Sequence, residues 1–85
     1  MIFERTERFK KAFKKLPKEI QSITEEKFEL MRGNPQHPSL RIKKMSGTND
    51  IWEGSITHKY RFTFHIIGDI YLLRNIGPHD IGLRK

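Results

Sequence analysis

Three polar side chains recur at every second position along residues 60–67: Arg61, Thr63 and His65. The positions between them are apolar and carry Tyr60, Phe62, Phe64 and Ile66. Because a β-strand sends successive side chains to opposite faces, the apolar set can enter a core while the polar set points together from the other face. An arginine, a hydroxyl and an imidazole on one surface can bind an anion and transfer protons. This face is therefore a candidate active surface.

Two earlier segments are predicted to add polar side chains to this surface. They are Arg41 and Lys43 from residues 40–45, and Glu53, Ser55 and Thr57 from residues 51–57. Cleavage of RNA without a metal needs a base for the 2′-hydroxyl proton, cations for the developing negative charge and an acid for the leaving oxygen. Glu53, Arg61 and the histidines could share these roles. The alternative is an ordinary polar sheet face, on which an Arg–Glu cross-strand pair is common.

The four histidines differ in what surrounds them in the sequence. His79 lies in the turn-forming segment 76–80, Ile-Gly-Pro-His-Asp, where Asp80 could hold it as a proton donor because histidine titrates near neutral pH. The alternative is an exposed turn that Asp80 caps. His58 and His37 are expected in a turn and a proline-containing loop. No two histidines stand at ligand spacing and the chain has no cysteine, so neither a metal site nor a cofactor is expected.

The composition favours an acidic partner. The net charge of +7 and the pI near 10.0 concentrate polyanions around the protein, so nucleic acid and an acidic protein both qualify. The absence of cysteine excludes disulfides and thiolate catalysis and fits a cytoplasmic protein. No apolar run approaches the roughly 20 residues of a membrane span, and no secretory signal is recognised, so a soluble protein is expected.

The pattern of residues predicts two helices followed by strands. A short strand over residues 2–5 should precede a helix capped by Thr6, and Pro17 should lie in the first turn of a second helix that Gly33 ends. The loop 34–39 then leads to strands over residues 40–45, 51–57, 60–67 and 70–76, the last two joined by the hairpin turn Gly68-Asp69. The predicted fold is α+β: one domain, residues 1–85, with an antiparallel β-sheet meander and an N-terminal α-helical hairpin packed on one face. That hairpin should cover Phe62 and Phe64 and leave Arg61 outside the core.

The same order of elements, with Trp52-Glu53, Tyr60-Arg61 and the final Gly-Pro-His-Asp, resembles the RelE/ParE superfamily of toxins from type II toxin–antitoxin modules. The resemblance implies a metal-independent, ribosome-dependent mRNA endonuclease that an acidic antitoxin neutralises. It implies that Arg61 binds the phosphate, that His79 corresponds to a terminal histidine of some branches, and that Glu53 falls where certain members place a general base. The side chains expected to bind RNA are Arg41, Lys43, His65 and Arg74.

Two features keep other functions open. The chain has no tyrosine after His79-Asp80, although several relatives use a C-terminal aromatic residue. The ParE branch shares the fold and acts on DNA gyrase. The alternatives are therefore a gyrase inhibitor without nuclease activity and a cleavage-dead module that binds RNA or an antitoxin.

Overall fold

The computed structural model describes residues 2–47 and 50–79. Its elements are β1 (Ile2–Arg5), α1 (Glu7–Lys14), α2 (Lys18–Gly33), a 3₁₀ turn (Pro38–Leu40), β2 (Lys43–Lys44), β3 (Trp52–Ser55), β4 (Tyr60–Ile67) and β5 (Ile70–Pro78). Asp80, which was predicted to hold His79 or to cap its turn, lies outside the described residues. The α+β architecture, with a short first strand, two helices and then the other strands, is the predicted one.

Side chains close both ends of α1. The Thr6 hydroxyl accepts a hydrogen bond from the Phe9 backbone N–H at 3.1 Å, as a helix cap should. At the other end, the Gln21 amide nitrogen of α2 donates to the carbonyls of Phe13 at 3.1 Å and Leu16 at 3.0 Å. Since the last carbonyls of a helix have no partner within it, Gln21 joins the two helices through this cap.

The second helix begins and ends close to the predicted residues. Pro17 lies just before the first helical residue, Lys18, and not inside the first turn. The helix ends at Gly33, as predicted. In the part of the chain that the structure describes, no helix is both long and apolar enough to cross a membrane.

The sheet has the strand order β1-β5-β4-β3-β2. Strands β2 to β5 form the predicted antiparallel meander. The first strand, however, joins the edge of β5 in a parallel orientation, with Ile2 opposite Ile70 and Arg5 opposite Leu73. The sheet is therefore mixed, with one parallel pair and three antiparallel pairs among the described strands. Both helices lie in the chain between β1 and the other strands.

The strand predicted over residues 40–45 is reduced to Lys43–Lys44. Leu40 belongs to the 3₁₀ turn instead, and Arg41 has a left-handed backbone conformation with φ 47°. The His37 ring nitrogen accepts the Ser39 N–H at 3.2 Å and so caps the start of this turn. Leu40 is thus buried by a turn and not by a strand. The prediction of a strand over residues 40–45 was wrong.

The helices cover the predicted face of β4. Phe62 and Phe64 are fully buried, and Phe28 of α2 meets the Phe62 ring edge-on with centroids 5.1 Å apart. Phe9 of α1 lies 6.1 Å from the Phe28 ring. Ile66 was expected in the same layer but is 43% exposed. It lies near the β4–β5 turn, where the strand passes beyond the residues that form the core.

A close contact fixes β3 against the core. Gly54 lies directly opposite Phe62, and a Cβ atom at this position would be 2.4 Å from the Phe62 ring. Only glycine leaves room for that ring. Because side chains alternate along a strand, this contact directs the neighbouring Glu53 and Ser55 to the opposite face of the sheet.

Candidate active site

Two cross-strand rows bring polar side chains together on the face opposite the helices. In one row Lys43, Glu53 and Thr63 lie opposite one another on β2, β3 and β4. In the next, Ser55 lies opposite Arg61, whose other neighbour is Gly77. Since Gly77 has no side chain, nothing on β5 covers Arg61 in this row.

The Arg61 guanidinium is held by the turn that connects β3 to β4. Its Nη1 donates to the carbonyls of Thr57 at 2.5 Å, His58 at 2.6 Å and Tyr60 at 3.3 Å. Within residues 2–47 and 50–79, Nε and Nη2 form no hydrogen bond, which leaves these donors to a ligand. Arg61 lies on the predicted face, outside the core that the helices cover, but it is only 8% exposed.

Thr57 stabilises this turn through its own hydroxyl. The oxygen accepts hydrogen bonds from the backbone N–H groups of Lys59 and Tyr60, both at 3.2 Å. The two carbonyls that hold Arg61 most closely therefore belong to a turn with internal support. The sequence signal for this role is a threonine directly before the turn residues His58-Lys59.

Glu53 is the acidic side chain of this surface. It is 7% exposed, and one carboxylate oxygen lies 3.9 Å from the Lys43 ammonium, which itself is largely exposed. At this distance the Lys43–Glu53 contact is a weak ion pair.

His79 is fixed through its backbone. Its N–H donates to the Lys59 carbonyl at 2.7 Å, which joins the end of β5 to the β3–β4 turn, and its side chain is exposed. The turn that holds Arg61 therefore also positions His79.

These residues line one depression of about 300 Å³, which we call the candidate active site. Its walls are Arg41, Lys43, Glu53, Ser55, Arg61 and His79. All three predicted catalytic residues and two of the predicted RNA-binding residues thus meet there. Ser55 also lines the depression, because it lies two positions after Glu53 on β3 and so points to the same face. Its described lining combines three permanent cations with one carboxylate and one imidazole, a set that suits an anionic ligand and proton transfer.

The other two predicted RNA-binding residues do not line this depression. The His65 ring nitrogen Nδ1 lies 3.0 Å from the Asp50 carbonyl. Arg74 donates to the Thr63 hydroxyl at 3.2 Å, and burial together with the charge of Arg8 lowers the pKa of its guanidinium. An irregularity in the β4–β5 register between Thr63 and Phe64 places Arg74 beside Thr63, which alternation alone does not predict.

No family model matches the sequence, and no curated protein matches it. Solved structures match closely in shape over nearly the whole chain. YafQ from E. coli has a TM-score of 0.75 at 12% identity, with 91% of each chain covered. The RelE of an archaeal RelE–RelB complex from Pyrococcus horikoshii has a TM-score of 0.75 at 16% identity, covering 94% of this chain and 96% of that one.

A YoeB/ParE toxin from Agrobacterium tumefaciens has a TM-score of 0.76 at 13% identity, covering 93% of this chain and 99% of that one. At these identities the likeness lies in the three-dimensional structure. The chain therefore has the fold of the RelE/ParE-like toxins.

Proposed function

We propose that this protein is the toxin of a type II toxin–antitoxin module and cleaves mRNA on the ribosome without a metal ion. The observation that carries the proposal is the depression in which Glu53, Arg61 and His79 meet beside Arg41 and Lys43. Arg61 is 8% exposed, lines this depression and keeps Nε and Nη2 without a hydrogen bond inside the described residues, which supports a role in binding an anion.

The proposed reaction divides three tasks among three side chains. Glu53 takes the proton of a 2′-hydroxyl, and the resulting oxygen attacks the adjacent phosphorus while the bond to the 5′-oxygen breaks. The Nε and Nη2 donors of Arg61 bind the phosphate oxygens, whose negative charge grows in the transition state. His79 gives a proton to the departing 5′-oxygen. The products are a 2′,3′-cyclic phosphate and a free 5′-hydroxyl.

The protein's charge supports two partners. A net charge of +7 favours association with ribosomal and messenger RNA, and equally with an acidic antitoxin that covers the candidate active site. One of the structures with the same fold is a complex of RelE with RelB. We therefore propose an acidic antitoxin as the physiological partner, with binding that weakens as salt rises.

The test of this function is Arg61→Ala. We expect cleavage to fall about a hundredfold to a thousandfold, because a charge contact in the transition state is lost. The free energy of unfolding should fall by about 1–3 kcal/mol as well, since three carbonyls lose a buried donor. Cleavage is measured by primer extension on ribosome-bound mRNA, at a temperature at which circular dichroism shows the variant to be folded.

Two further variants control this experiment. Arg61→Lys keeps the charge but loses the planar fork, so its activity should also fall well below wild type. Lys18→Ala removes an exposed charge at the start of α2 and should cleave normally. Full cleavage by folded Arg61→Ala would remove Arg61 from the mechanism. Growth arrest by the wild type without any cleavage would support gyrase inhibition instead.

A further inference from the structure

Arg41 lies at the meeting point of separate depressions. It follows the 3₁₀ turn in a left-handed conformation with φ 47° and ψ 44°, and its N–H donates to the Pro38 carbonyl at 3.2 Å. Its side chain lines the candidate active site and also a neighbouring cavity of about 250 Å³. Ser55 lines both as well. The two cavities are therefore adjacent and share a wall.

This second cavity, which we call the flanking depression, lies where α2 approaches the end of β3. Its polar lining consists of Lys27, Ser39, Arg41, Ser55, Thr57 and His58. The set includes two permanent cations, three hydroxyls and an imidazole, and none of the described residues that line the cavity carries a carboxylate. Such a lining binds oxyanions, because it offers donors and positive charge without a competing negative group.

The cationic side of the flanking depression is already ordered. The Lys27 ammonium donates to the Ser39 hydroxyl at 3.2 Å, and that hydroxyl lies 2.9 Å from the His37 ring nitrogen Nδ1. These contacts hold Lys27 against the 3₁₀ turn and beside Arg41. A ligand that binds there does not have to order a free lysine side chain, so less of the binding free energy is lost to entropy.

We propose that the flanking depression binds the phosphate and ribose of the nucleotide next to the scissile phosphate. The inference rests on the proposed function and adds to it a second substrate subsite. A cavity of about 250 Å³ is smaller than the roughly 300–1,000 Å³ of pockets for whole small molecules. The flanking depression adjoins the candidate active site. A single RNA strand that continues from one cavity into the other therefore fits better than a separate small molecule.

The subsite would also act on the catalytic arginine. Thr57 and His58 line the flanking depression, and their carbonyls hold the Arg61 guanidinium at 2.5 Å and 2.6 Å. A nucleotide bound in the flanking depression therefore contacts the turn that positions Arg61. Binding of that nucleotide therefore affects the position of the Arg61 guanidinium.

The test measures binding of a single-stranded RNA oligonucleotide whose 2′-hydroxyls are methylated, so that it cannot be cleaved. Fluorescence anisotropy gives the affinity of the full chain at several salt concentrations. We expect Lys27→Ala to weaken binding about fivefold to tenfold and to reduce the salt slope by about 0.7, the value for one phosphate contact on a single strand. Lys27→Arg, which keeps the charge, should retain the wild-type slope.

The matched control is Lys18→Ala, which removes the same charge from the same helix, away from the cavity. Equal losses in Lys18→Ala and Lys27→Ala would overturn the subsite, because only the overall charge would then matter. A wild-type slope in Lys27→Ala, or no binding by the wild-type chain, would overturn it too. Cleavage on ribosomes is measured separately: specific binding without cleavage would refute the proposed function alone, and cleavage without a Lys27 effect would refute the subsite alone.

Discussion

The Thr57 hydroxyl supports the candidate active site through the backbone. It supports the turn whose carbonyls hold the Arg61 guanidinium. In Thr57→Ala the N–H groups of Lys59 and Tyr60 lose this acceptor, and the turn is free to move. We expect the cleavage rate to fall about tenfold to a hundredfold, because small displacements of a catalytic group have effects of this size.

Thr57→Ser keeps the hydroxyl and should restore most of the cleavage rate. The comparison of single-turnover cleavage rates separates positioning from general destabilisation, provided that melting curves show all three proteins to be folded. If Thr57→Ser is as slow as Thr57→Ala, the hydroxyl is not what positions Arg61.

At the level of residues, alternation predicted the face of each side chain but not its surroundings. Arg61 and Glu53 lie on the predicted face because strand periodicity is a local property. The burial of Arg61 depends on the conformation of a turn, and the position of Arg74 depends on a register irregularity. Residue types alone predict neither feature, since one depends on a turn conformation and the other on how two strands pair.

Thr6 joins three elements at a single side chain. Thr6 follows β1 directly, and its hydroxyl oxygen accepts a hydrogen bond from the Phe9 N–H at the start of α1. Its hydroxyl O–H donates to the Leu73 carbonyl of β5 at 2.9 Å. We expect Thr6→Ala to lower the free energy of unfolding by about 1–2 kcal/mol, because a helix cap and a partly buried hydrogen bond are lost together.

Urea denaturation gives this difference directly. Thr6→Ser preserves both hydrogen bonds and should lie within about 0.5 kcal/mol of the wild type. A Thr6→Ala protein as stable as the wild type would mean that water replaces both contacts at no cost.

At the level of elements, the sequence predicted the helices and the position of β1 better than the strand over residues 40–45 and the pairing of β1. The cap at Thr6 and the end at Gly33 are local signals, and both are confirmed. The strand over residues 40–45 was mistaken because the apolar spacing of Leu40 and Ile42 fits both a strand and a turn that buries Leu40. The parallel contact of β1 with β5 is non-local and leaves no local sequence signal.

At the level of the whole molecule, Tyr71 links stability to alkaline pH. It is 6% exposed and packs against Phe3 and Phe64, with ring centroids 5.1 Å and 5.6 Å away. Burial raises the pKa of its hydroxyl above the usual value, because the charged phenolate is poorly solvated. Stability is therefore fully present below about pH 10, where the unfolded tyrosine ionises, and is lost as the pH rises through the higher folded pKa.

We expect Tyr71→Phe to lose less stability than the wild type between about pH 8 and about pH 11, because it has no hydroxyl to ionise. The free energy of unfolding is measured by urea denaturation at each pH. Tyr60→Phe is the control: it retains Tyr71 and should follow the wild-type curve. Parallel curves for Tyr71→Phe and wild type would show that ionisation of Tyr71 does not affect folding.

The parallel pairing of β1 with β5 also sets the order in which the molecule can assemble. Thr6 and the Leu73 carbonyl that it contacts are 67 positions apart in the chain, whereas β4 and β5 are joined by a short local turn. Non-local contacts form late because a long loop must first be closed. During translation β1 and α1 have no strand to dock against until β5 has left the ribosome. A nascent chain interrupted before β5 therefore lacks the surface on which Arg61 and His79 meet, so any activity of that surface begins only after this strand has been made.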